Sequence, residues 1–194
     1  RLNDNGAFPY LPSHPLTSER IADVQGRLPL GAATTAPPLQ MDHAMASARA
    51  RVLSNTAIDA QRAMLAQARA PRLSELPPAQ QAAIVYAGTL AAAQMREFGV
   101  TAPLLARLRT LAAADPAAQR LTRLLEIEVA LLSGQSAPEI VPSGRAELLL
   151  MAQVWIREGR AGIAASALQS WVALHPRDAG AWQMLGRANT AQGQ

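Results

Sequence analysis

Three histidines, His14, His43 and His175, are the residues most able to take part in acid–base or metal chemistry in this chain of 194 residues, which has no cysteine. They stand far apart and share no ligand spacing, and a metal site needs several ligands converging from fixed offsets. The zinc-protease helix H-E-x-x-H is absent, as are the G-x-S-x-G elbow and the phosphate-cradling G-x-x-x-x-G-K-[ST] loop. His175 precedes Pro176 and fits the C-terminal end of a helix, where a cation is favoured. His43 lies in an Ala-rich helical stretch and fits a surface or interhelix polar residue. His14 differs in its neighbours: Pro15 biases it toward an extended backbone just ahead of a helix, and Arg20 falls on that helix's first turn. Physical reasoning alone reads them as an ordinary loop histidine and a surface arginine. No catalytic set and no metal-ligand set is therefore expected within this chain, and the missing cysteines exclude disulfides and thiolate sites.

The elements that would hold such residues are helices. Nearly half of the residues are hydrophobic but only 4% are aromatic, and the abundant Ala and Leu favour helix over strand. Residues 1–38 stand apart, with six of the 14 prolines. Within them a short helix is expected from Ser18 to about Leu28, with Thr17 as its cap and Leu16 against Ile21 as a hydrophobic staple. Pro29 to Pro38 reads as a linker. From residue 39 to 194 the pattern predicts helices over 39–53, 56–70, 79–97, 101–113, 117–133, 145–158, 161–174 and 179–191. Asn55, Pro71, Pro77, Pro78, Gly99, Pro116, Gly134 and Gly159 mark their ends. The fold class expected is all-α.

A repeat signal lies at the C-terminal end. Tetratricopeptide repeats have a 34-residue period and open on W-x2-L-G; Trp182, Leu185 and Gly186 match that opening. Thirty-four residues earlier stands Leu148, followed by Met151, Ala152 and Trp155 on one helix face. The return helix supplies Ala164, Leu168 and Trp171, and Pro176 closes the unit. An earlier unit fits 79–97 with 101–113, while 117–144 is irregular because Ser133 to Pro138 stands where a return helix belongs. The expectation is a degenerate tetratricopeptide-like array, an α-solenoid of antiparallel helix pairs. Its packing residues would be Leu148, Met151, Trp155, Leu168, Trp171, Trp182 and Leu185. Such stacks bind protein or peptide segments on a concave face.

All 18 basic residues are Arg, and the net charge of +4 is spread thinly: +2 over 37–78, +2 over 145–194 and zero elsewhere. Phosphate binding calls for dense basic patches, so nucleic acid is not an expected partner. No run of about 18 apolar residues suggests a membrane span. The arginines on the helices, Arg49, Arg51, Arg107, Arg109 and Arg123, suit a solvated face as well as a groove.

The H-P-x4-R pattern of His14, Pro15 and Arg20, with Ile21-Ala22-Asp23 after it, resembles the end of the peptidase domain in HtpX-like and BepA-like zinc metallopeptidases. In the BepA-like branch a tetratricopeptide region follows, and Asp42 to Leu53 resembles its first helix. The resemblance implies that residues 1–38 trail a metallopeptidase domain and that 39–194 form the partner-binding region. It implies a zinc cofactor in the larger protein, held by an H-E-x-x-H helix and a Glu before Arg1, and none in this chain. His14 would then stand near the zinc as a gating residue, and Arg20 would position that segment or the substrate carbonyl. It further implies a periplasmic location and, as partners, outer-membrane proteins and their assembly complex. A free-standing tetratricopeptide adaptor with no enzyme attached is the alternative.

Overall fold

A computed structural model describes residues 38–193. His14, Arg20 and the expected helix from Ser18 lie outside the described residues. The described residues are all-helical, with no strand. Eight α-helices follow one another: α1 Met41–Ser54, α2 Ile58–Ala68, α3 Pro78–Gln94, α4 Thr101–Ala112, α5 Pro116–Ser133, α6 Arg145–Arg157, α7 Ala161–Leu174 and α8 Ala179–Ala191. Short 3-10 turns at Pro71–Glu75 and Phe98–Val100 precede α3 and α4. None of these helices is long and apolar enough to cross a membrane.

Local chemistry sets the ends. Asp115 caps α5, its carboxylate accepting the Ala117 and Ala118 amides at 3.0 Å, with Pro116 in the first helical position where no amide partner is needed. Gly134 closes α5 at φ 75°, the left-handed conformation that ends helices and suits glycine. The predicted helices 56–70 and 79–97 are shorter than expected. Pro71 starts a 3-10 turn instead of simply breaking α2, and α3 stops at Gln94. Arg96 turns left-handed at φ 63°, the Glu97 amide donates back to the Ala92 carbonyl at 2.8 Å, and the Arg96 guanidinium lies 5.7 Å from the Phe98 ring centre. These contacts end the helix ahead of the glycine that the sequence offered as its stop.

Helix α3 is buried on nearly every side, from Ala82 through Ala93 with only Ile84 partly open, as a helix apolar all round must be. It packs against α1, α2, α4 and α5. The buried Thr89 hydroxyl donates to the Val85 carbonyl at 2.7 Å. Arg49 on α1 ties this group together, donating to Glu128 on α5 and, at 3.4 Å, to the Tyr86 hydroxyl. A second core gathers Met151, Val154, Leu168 and Ala181 from α6, α7 and α8, and these three helices all pack on one another. Helix α5 serves both cores, with Leu125 and Val129 in the first and Ile127 in the second. Between α5 and α6 the chain runs without helix from Gly134 to Gly144. Arg157 holds this strap by donating to the carbonyls of Ala130 at 2.9 Å and Gln135 at 2.7 Å, while Ala137 and Ile140 pack on the second core.

Candidate functional site

The concave features with the best-defined chemistry meet at Trp171, in the last turn of α7. Helix α8 starts at Ala179, and the preceding Asp178 caps it by accepting the Ala181 amide at 3.1 Å. The same carboxylate receives Arg145, from the first position of α6, through two bonds of 2.8 and 2.9 Å, and the Trp171 indole N–H at 3.0 Å. Four donated hydrogen bonds hold the Asp178 carboxyl far below the usual carboxylate range, Arg145 first and Trp171 second. Gly180 makes room for this pairing, since a Cβ there would stand 2.6 Å from an Arg145 terminal nitrogen.

Around that anchor lie two open grooves. One, of about 650 Å³, runs over Trp171, His175, Arg177 and Gly180. His175 stacks on Trp171 with ring centres 4.0 Å apart. The other, of about 320 Å³, lies between the strap at Pro142–Gly144 and the helices, floored by Leu148, Trp155 and Trp171 and edged by Leu174. Leu174, at that edge, is 79% exposed.

The residues singled out in the sequence fall on both sides of this surface. Leu148, Met151, Trp155, Leu168 and Leu185 are buried in the second core. Trp171 is half-buried and forms the floor of both grooves. Trp182 is not packed away: it is 49% exposed, and its indole N–H donates to the Pro176 carbonyl at 3.0 Å. The Trp155 indole N–H is the one buried side-chain polar atom without a hydrogen-bond partner among the described residues. Glu139 is near enough to feel it, although Arg160 is the chief reason that carboxyl sits below its ordinary range.

Of the helix arginines, Arg49 and Arg109 pair with Glu128 and Glu126, and Arg107 reaches Gln81 at 3.4 Å. Arg51 and Arg123 have no carboxylate partner among the described residues. Sequence reasoning did not find Asp178, Arg145, Arg177 or Leu174. The signal for Asp178 was present, because it stands at the cap position one residue before α8 and 34 residues after Gly144, the cap of α6.

Among the described residues no three His, Asp or Glu side chains converge to hold a metal ion. What the arrangement offers is a surface: an aromatic and aliphatic floor beside fixed charges. No protein-family model matches the chain, and neither the curated proteins nor the solved structures hold a significant match to it.

Proposed function

We propose that residues 39–194 are a protein-binding scaffold of tetratricopeptide-like helix pairs, with a partner segment lying in the grooves beside Trp171. The observation that carries this reading is the open apolar surface of Trp171 and Leu174 flanked by the two grooves. Support for the repeat comes from spacing and burial. Helices α6 and α8 start 34 residues apart, at Arg145 and Ala179. The buried positions of α4 (Thr101, Leu104, Leu105, Leu108, Ala112) recur in α7 as Ala161, Ala164, Ala165, Leu168 and Val172. The trios α3–α4–α5 and α6–α7–α8 also share one packing scheme, each helix touching the other two.

In the larger protein this scaffold is the partner-binding region of a periplasmic, BepA-like zinc metallopeptidase that acts in outer-membrane protein quality control or assembly. The His14-Pro15 and Arg20 motif supports that assignment. Pull-down of outer-membrane assembly proteins with the chain and with Leu174→Ser tests it, since Leu174 makes the groove edge but lies outside the core. Equal recovery with both would overturn it. The adaptor reading shares the groove and differs upstream: an H-E-x-x-H helix encoded before Arg1 decides for the protease, and its absence for the adaptor.

A further inference from the structure

Of the two grooves that meet at Trp171, the larger carries charged side chains and the smaller none, and the charges narrow the occupant. The charged side chains lining them are Arg145, Arg177 and Asp178, all in the larger groove. Asp178 is fully engaged by Arg145, Trp171 and the Ala181 amide, so Arg145 and Asp178 neutralise each other in place. Arg177 is exposed, and no carboxylate among the described residues pairs with it. One uncompensated guanidinium therefore lines the larger groove together with Trp171, the residue that also floors the smaller, uncharged groove with Leu148 and Trp155.

We infer that the two grooves, joined at Trp171, take an extended protein segment in which a carboxylate side chain neighbours a bulky apolar one. The apolar side chain lies against Trp171 and Leu174, and the carboxylate meets Arg177, whose planar fork suits a two-point bond to a carboxylate. A basic segment would set like charges against Arg177, so the charge chooses among partners more than it adds affinity. A single free cation over an apolar floor suits a protein segment better than a nucleic-acid backbone, which needs several. This inference rests on the partner-binding reading above.

The indole N–H signals of Trp155, Trp171 and Trp182 in the ¹⁵N-labelled full chain report the site directly. The probes are end-blocked octapeptides carrying Leu-Phe between two Glu, two Gln or two Arg, together with a thymidine oligonucleotide. The Glu peptide is expected to move the Trp171 signal and to bind about fivefold more tightly than the Gln peptide at low salt, the upper range for one exposed ion pair. That preference should vanish near 1 M salt, where the screening length is about 3 Å, and in Arg177→Glu, a surface change outside both cores. Equal binding of all three peptides with Trp171 moving would overturn the charge assignment and leave the groove standing. If no peptide moves Trp171, both fall. A larger shift with the oligonucleotide would overturn the inference in favour of a nucleic-acid surface.

Discussion

Gly88 sets helix propensity against packing, and the two disagree in sign. It lies in the middle of α3, where Gly is about 0.8–1 kcal/mol worse than Ala. Propensity alone therefore predicts that Gly88→Ala stabilises. A Cβ at that position, however, would stand 2.3 Å from the Ala68 Cβ and 3.2 Å from the Met64 carbonyl oxygen of α2. Carbon atoms prefer separations of about 3.5–4.0 Å, so the two helices must part by more than about 1 Å. Neither obstacle can rotate away, because Ala68 has no side-chain torsion and the Met64 oxygen belongs to the backbone. Overpacking of this kind costs about 1–3 kcal/mol; two rigid obstacles, one at 2.3 Å, put this site in the upper part of that range, so a net loss of about 1–2 kcal/mol remains after the propensity gain. With a urea slope of about 2 kcal/mol/M, the middle of the usual range, the midpoint of Gly88→Ala should fall by roughly 0.5–1 M, read by circular dichroism. Ala68→Gly removes the opposing methyl at the last residue of α2, where helix propensity counts least. In that background Gly88→Ala should be neutral or stabilising, a coupling of about 1–3 kcal/mol. A stabilised single variant, or the same loss in both backgrounds, would refute the packing argument.

Other outcomes follow from the polar contacts. The Glu147 side chain is 4% exposed, and the Arg120 bonds, with Ser143 adding to them, hold its carboxyl below the ordinary range. A carboxyl whose folded value lies below its unfolded value of about 4.3 stabilises the fold above that pH and ceases to as the pH drops through the folded value. Glu147→Gln should therefore flatten the stability curve below about pH 5. Arg120→Ala should cost about 1–3 kcal/mol at pH 7, by leaving a buried carboxylate unpaired, and less at pH 3 in the same urea series. Asp115→Ala should cost about 1 kcal/mol by removing the α5 cap, and Asp115→Asn much less; thermal melts measure both. Calorimetric titration of the chain with zinc should show no tight stoichiometric site, and a one-to-one complex would place metal ligands within this sequence after all.

Helix positions were legible in the sequence because Pro and Gly act locally. Pro116 and Gly134 bound α5 within a residue of where they predict, and α7 and α8 match their expected spans. The end of α3 was less legible, because it depends on a left-handed arginine and on a ring contact with Phe98 that no local rule requires. Burial was legible for Leu148, Met151 and Leu168, whose spacing puts them on inner faces. Trp182, a large aromatic at a repeat-like position, stays half open. The groove chemistry was hidden for a different reason. Arg145 and Asp178 meet only because two helices 34 residues apart lie side by side, and Arg177 looks like any surface arginine until Asp178 is seen to be taken.

The irregular stretch and the open surface have one physical origin. Pro138 and Pro142 disfavour helix between α5 and α6, since each removes an amide donor and clashes with the preceding turn. The segment instead runs as a strap pinned by Arg157 and Arg160, with Ala137 and Ile140 packed against the second core and Val141 91% exposed. A helix with its side chains is about 10–12 Å across, and a single stretch of chain without helix fills much less of that layer. The unfilled space borders Pro142, Ser143 and Gly144 on one side and Leu148, Trp155 and Trp171 on the other, where the smaller groove lies. The break in the sequence pattern at residues 134–144 thus coincides with the place where the fold leaves apolar side chains within reach of another chain.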